Sequence, residues 1–282
     1  MPLVDRGTHQ VHYEVHGPDG APPLLLVMGM GFSSRAWHTL PALLRQDFRV
    51  IQFDNCGTGR STEPRGIYRT GRMADDAAAV LDAAGVEAAF VFGISMGGMI
   101  AQELALRHPR RVRALVLGAT FAGHLRSRKP SLRTGYDLVQ VVARGRGVKP
   151  ARVARLLVSS GHYAADPDGF LAWLRCTERA PPRITIRQMA AVALHDAASR
   201  LRDLHVPTLV ITGDRDRLVP PANSRTLAAL IPGARLVELP GAGHVFPVER
   251  PRETVAALKE FFLGPAGAGP GPPRRAGASP LP

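Results

Sequence analysis

With 282 residues, 45% of them hydrophobic and 21% charged, the chain is long enough to bury a sizeable core, and its composition is not that of a disordered, collagenous or membrane-embedded protein. Its two cysteines, Cys56 and Cys176, stand far apart and outside any CxxC pair, which excludes a disulfide framework and a thiolate zinc site. A formal charge of +13 would suit an anionic partner, but the basic residues are interleaved with apolar ones and no nucleic-acid module is present, so a solvated surface is expected.

The first ten residues carry Asp5, Arg6 and His9 and contain no apolar run, unlike a secretory signal. The longest uncharged stretches, 20–34 and 88–102, are 15 residues each, short of the roughly 18 that a spanning helix needs. These features predict a cytoplasmic protein with no membrane or nucleic-acid partner, and they leave the oligomeric state open.

In chain order, residues 9–16 alternate as in one strand of an N-terminal hairpin, and 23–28 form a short apolar run bounded by Pro and Gly. Similar runs lie at 48–53, 89–93, 113–117, 207–212 and 234–239, and helical patterns at 35–46, 71–84, 96–108, 223–231 and 252–263. Short, fully apolar runs suit strands covered on both faces. Their alternation with helices predicts the α/β class, with a mostly parallel, doubly wound sheet.

That alternation stops between 122 and 204, where helical patterns at 136–144, 150–159, 168–178 and 186–198 follow one another without a strand. An insertion of this size predicts a helical lid over the carboxyl ends of the strands, where ligands bind in open α/β sheets. Much of the positive charge lies here: residues 122–206 hold fifteen Lys or Arg against six Asp or Glu. The expected organisation is a core of 1–121 and 205–263, a lid of 122–204, and a disordered Gly/Pro/Ala-rich tail at 264–282.

The chemistry is carried by Gly93-Ile94-Ser95-Met96-Gly97, between an apolar run and a helical pattern. Gly-x-Ser-x-Gly between strand and helix makes a tight turn that presents the Ser hydroxyl, which makes Ser95 a candidate nucleophile. An activated serine needs a base, and the base needs an acid to fix its tautomer. His244, in the loop after the last predicted strand, lies at the right sheet edge, and Asp214 and Asp216 after the strand at 207–212 offer two acids there. The chain order is then Ser, Asp, His.

With these motifs in this order, the chain resembles the α/β-hydrolase superfamily over roughly residues 11–263, in particular its bacterial esterases and enol-lactonases. The resemblance implies the α/β-hydrolase fold and assigns Ser95, Asp216 and His244 as a catalytic triad. Asp216 is preferred because Gly213, Asp216, Val219 and Pro220 reproduce the family's Gly-x-x-Asp-x-x-Val-Pro pattern, with Asp214 as the fallback. The two oxyanion donors are expected to be the backbone N–H groups of Met96, which follows the nucleophile, and Met30. Met30 lies in the loop Met28-Gly29-Met30-Gly31, where relatives usually begin with His-Gly. Gly29, Gly31, Met99 and Phe246 are expected to line the substrate pocket. A further match, the segment from Asp54 to Ser61, has Cys56 in place of the family's arginine and is given a structural role.

The expected reaction is hydrolysis of a small carboxylic ester or lactone through an acyl-enzyme, without metal or organic cofactor. Carbon-carbon bond hydrolysis, haloperoxidase-like perhydrolysis and a non-catalytic ligand-binding protein are the alternatives. Epoxide hydrolase and haloalkane dehalogenase chemistry is disfavoured, because those relatives place Asp where this chain has Ser95. His12, Glu14 and His16 share a strand face and superficially suggest metal ligands, but an exposed hairpin face is the expected account. For Cys56 the expected role is a small buried side chain. His124, His162 and His195 lie in the lid, and most are expected at its surface.

Overall fold

Eight strands form one sheet in the computed structural model, which describes residues 2–265. They are β1 (Leu3–Asp5), β2 (Gln10–His16), β3 (Pro23–Val27), β4 (Arg49–Phe53), β5 (Ala89–Ile94), β6 (Val112–Gly118), β7 (Thr208–Gly213) and β8 (Arg235–Leu239). Their spatial order is β1-β2-β4-β3-β5-β6-β7-β8. The pairs β1–β2 and β2–β4 are antiparallel, and every pairing from β4 through β3 to β8 is parallel.

Alternate residues of each central strand enter opposite layers, as the two-residue period of a strand requires. Leu25, Val27, Val91 and Leu115 join one core cluster, whereas Leu24, Leu26, Phe90 and Val116 join the other. The first cluster takes buried residues from α2 (Thr70–Ala83) and α3 (Met96–Arg107), and the second from α1 (Leu40–Leu44).

Between β6 and β7 come α4 (Leu132–Arg144), α5 (Pro150–Leu157), α6 (Ser160–Ala165), α7 (Pro167–Cys176) and α8 (Pro182–Ala193). The chain then alternates again, with α9 (Ala222–Leu230) before β8 and α10 (Phe246–Glu249) and α11 (Pro251–Leu263) after it. Leu227 of α9 packs in the first cluster, and Leu258, Phe261 and Phe262 of α11 in the second, so both faces of the sheet are covered.

Several predicted elements are altered by local chemistry. The helix expected at 35–46 is split into a 3-10 turn, Ser34–Trp37, and α1, because His38 takes a left-handed φ of 54°. The last helix of the insertion starts earlier than expected, at Pro182, where the proline occupies the first turn and needs no N–H partner. Helix α6 was not anticipated; its start is capped by the Ser159 side chain, which accepts from the His162 N–H. Of the tail expected to be disordered, all but Gly264 and Pro265 lies outside the described residues. Among the described residues, no helix is long and apolar enough to cross a membrane.

Candidate active site

Ser95 caps the start of α3 at the carboxyl end of β5, with φ 56° and ψ −123°. A side chain at φ > 0 is sterically costly, and here the turn is held by hydrogen bonds on both sides. The Ser95 N–H donates to Gly118 O at 2.8 Å, and its carbonyl accepts from Gly98 N–H and Thr120 Oγ1 at 2.9 and 2.8 Å. Both motif glycines are required by close approach. A Cβ on Gly93 would sit 2.2 Å from Gly97 O, and one on Gly97 would sit 2.0 Å from Val27 O.

His244 lies in the loop after β8, almost fully buried, and its Nδ1 is 2.8 Å from Asp216 Oδ2. The other Asp216 oxygen accepts from the Leu218 and Val219 N–H groups, both at 2.9 Å, so the carboxylate is aimed by its own loop. Asp214 does something else: its Oδ1 accepts from Gly241 N–H at 2.7 Å and braces the turn leading to His244. Ser95 and His244 line the same cavity, and among the described residues no hydrogen bond joins them. Such contacts commonly tighten only when substrate binds.

The loop Met28 to Gly31 passes beside the elbow, with the Cβ position of Gly29 3.2 Å from Ser95 Cβ. Met96 is the first residue of α3, where backbone N–H groups have no intrahelical acceptor, and no hydrogen bond of the Met30 N–H is formed among the described residues. Both donors expected for an oxyanion are therefore free of protein acceptors.

Two side chains steady this loop that sequence reasoning did not find. Asn55 Nδ2 donates to Met28 O at 2.8 Å, and Gln188 Oε1, on α8, accepts from Gly31 N–H at 2.8 Å. The backbone continues the tie, with Ala180 N–H donating to Gly31 O at 2.9 Å and an antiparallel bridge between Phe32 and Arg179. Glu249 was missed as well. This buried carboxylate accepts from Gly243 N–H at 2.7 Å and Ser159 Oγ at 2.6 Å, joining the His244 loop to the start of α6. Neither Gln188 nor Glu249 lies in a motif, so nothing local in the sequence signals these contacts.

The cavity holds about 820 Å³ including its mouth. Gly29, Met30 and Gly31 line it together with Ser95 and His244, and Leu138, Val141, Val142, Leu156 and Leu157 of α4 and α5 form an apolar wall. Two expected lining residues lie elsewhere. Met99, one helical turn beyond Ser95, packs against Phe121 and Val219, and Phe246 is fully buried below the site against Phe92. Met96 is likewise buried in the core.

The remaining candidates have structural surroundings. His12 is not on an exposed face: it is 1% exposed, its Nδ1 3.6 Å from the Asp54 carboxylate, because the loop after β4 folds over β2. Asp54 itself accepts from Ser34 N–H and Arg60 N–H, and the Gly57-Thr58-Gly59 turn wraps around it. Burial pushes the Cys56 thiol far above its ordinary range, which keeps it protonated and unreactive. None of His124, His162 and His195 lines the Ser95 cavity. Among the described residues no cluster of three His, Cys, Asp or Glu is arranged to hold a metal ion.

Comparison with known proteins gives a consistent picture. The sequence profile of the family described as serine aminopeptidase, S33, matches residues 23–251. A protein of Azorhizobium caulinodans provisionally named carbamate hydrolase RutD is 34% identical over 276 residues, covering 94% of this chain and 97% of its own. The enol-lactonase of Burkholderia xenovorans LB400 superposes with a TM-score of 0.82 at 26% identity, over 93% of this chain and all 100% of that one. The esterase RhEst1 from Rhodococcus sp. ECU1013 superposes with a TM-score of 0.81 at 25% identity, over 93% and 98%.

Proposed function

Since the chain belongs to the α/β-hydrolase superfamily and is a hydrolase of that fold, we propose that it cleaves a small carboxylic ester or lactone by means of Ser95, His244 and Asp216. The observation that carries this reading is the 2.8 Å contact between His244 Nδ1 and Asp216, made at the wall of the cavity into which Ser95 is presented. That contact leaves Nε2 as the basic nitrogen, the tautomer a serine requires. Relatives named for carbamate, enol-lactone and ester hydrolysis are named for attack on an acyl carbon, which supports the same chemistry here.

In this mechanism His244 Nε2 takes the Ser95 hydroxyl proton as Oγ bonds to the acyl carbon, and the carbonyl π electrons move to oxygen. The Met30 and Met96 N–H groups donate to that oxyanion, each worth on the order of 3 kcal/mol to the transition state. The tetrahedral centre collapses, the bond to the leaving oxygen breaks, and His244 returns the proton to it. Water then adds to the acyl-enzyme by the same route and releases the acid, with Asp216 holding the imidazole throughout. Helices α4 to α8 serve as a lid whose apolar inner face receives the substrate.

A fluorophosphonate probe tests this directly, because it phosphonylates only an activated serine. Labelling of the wild type at Ser95, together with loss of labelling and of p-nitrophenyl ester turnover in Ser95→Ala, is expected. Absence of labelling in folded wild-type protein, or full turnover by Ser95→Ala, would overturn the proposal.

A further inference from the structure

Arg179 stands apart from the other half-buried arginines of the basic insertion, each of which has a carboxylate partner. Arg152 and Arg155 pair with Asp137, Arg183 and Arg187 with Glu63, and Arg200 with Glu103. Arg179 lines the Ser95 cavity and has no carboxylate partner among the described residues. Its guanidinium makes one contact, from Nη1 to Gly145 O at 3.3 Å at the end of α4, and the charge that acts on it is that of Arg146, also positive. Among the described residues, His244 is the one other ionisable side chain that lines the cavity, and no acidic one does.

A half-buried guanidinium has five N–H donors and a planar fork matched to carboxylate. Here a single donor is used. Leaving such a group in an apolar wall is unfavourable unless something anionic meets it there. Its place on the chain also ties it to the chemistry, since its backbone bridges to Phe32 and the next residue bonds Gly31 of the loop that holds the Met30 N–H.

We infer that the substrate carries a carboxylate, remote from the scissile acyl group, which Arg179 binds in a bidentate pair. Leu138, Val141 and Val142 line the same cavity, so the segment between carboxylate and acyl carbon is apolar. The class is that of half-esters of dicarboxylic acids, or lactones bearing a carboxylate arm. The excess of basic residues over 122–206 then raises the local concentration of such anions at the cavity mouth.

This inference rests on the hydrolase reading above, and the experiment separates the two. Turnover of p-nitrophenyl half-esters of succinate, glutarate and adipate is compared with that of the neutral butanoate, pentanoate and hexanoate. The wild type is expected to favour a half-ester in kcat/KM. Arg179→Gln is expected to lose at least tenfold on the half-ester and to change less than threefold on the neutral ester, with Arg179→Lys between them. A purely structural role at the end of α4 would lower both substrates together, and that result overturns the inference while the hydrolase reading stands. Should Arg179→Gln fail to fold, the wild-type preference decides, and a preference for the neutral ester counts against the inference. If Ser95→Ala turns over every ester, the assignment of Ser95 as nucleophile fails instead. The carboxylate site is then judged by calorimetry with glutarate, where Arg179→Lys must weaken binding severalfold and unchanged affinity, or no binding to the wild type, overturns it.

Discussion

Two carboxylates follow β7 two residues apart, and their different partners make a sharp prediction at the residue scale. Asp216 faces the imidazole and is aimed by two backbone N–H groups, whereas Asp214 holds the Gly241 turn. Replacing Asp216 by Asn keeps the shape and disturbs the tautomer, so kcat on a p-nitrophenyl ester should fall by about 10³ to 10⁴. Asp214→Asn keeps an acceptor for Gly241 and should stay within about threefold of wild type; equal losses in the two variants would contradict the assignment. Residue types and order alone left both acids open, and the resemblance to the family's pattern through Val219 and Pro220 favoured Asp216, the one that faces His244. Met99 and Phe246 were misplaced for another reason. Nearness in sequence to Ser95 and His244 does not fix which way a helical side chain points, and both turn into packed interior.

At the scale of elements, the central strands were legible because each is a short apolar run whose alternate residues enter two cores. Helix ends in the insertion were less so, since Pro182 opens α8 although a proline is equally compatible with the end of a helix, and side chains such as Ser159 set starts that hydropathy does not mark. Contacts between the insertion and the loops of the sheet were not legible at all. The loop beside Ser95 has Met28 where relatives usually have His, and its Gly31 N–H instead donates to Gln188, 157 residues away on α8. Gln188 also donates to Cys56 O at 3.3 Å, so it clamps the loop, the turn after β4 and the insertion together. Gln188→Leu leaves a buried N–H without its acceptor, a cost of about 1–3 kcal/mol, and frees the loop carrying the Met30 N–H. The expected result is a kcat about tenfold lower with KM changed less than threefold, and substantial recovery in Gln188→Glu, which restores an acceptor. A uniform loss of folded protein without that split would assign Gln188 to stability alone.

The insertion is also fastened to the sheet-covering helices through His195, and this sets how the whole molecule responds to acid. The ring is 2% exposed; Nδ1 lies 3.1 Å from Thr70 Oγ1 on α2 and Nε2 lies 3.3 Å from Gln102 Oε1 on α3. Burial pushes its pKa from the ordinary 6.5 down to about 4, against the opposing pull of Glu103 and Asp196, while Arg200 acts with burial. Between those two values the unfolded chain binds a proton that the folded one refuses, so stability falls as pH drops from about 6.5 towards 4. At 1.36 kcal/mol per pKa unit the full loss approaches about 3 kcal/mol, or roughly 5–10 °C in melting temperature for a domain of this size. His195→Gln retains polar atoms for both neighbours and cannot take up the proton. Melting curves of the two proteins at pH 7 and pH 4.5 should therefore show a smaller acid-induced drop in the variant, although its melting temperature at pH 7 is somewhat lower. The buried His12 and the partly buried His124 are present in both proteins and contribute equally to their acid response, so the difference between the two drops isolates His195. Identical drops would mean that the ring is protonated in the folded state and that the insertion is held by a charged contact to Glu103, 3.9 Å away, in place of a neutral one.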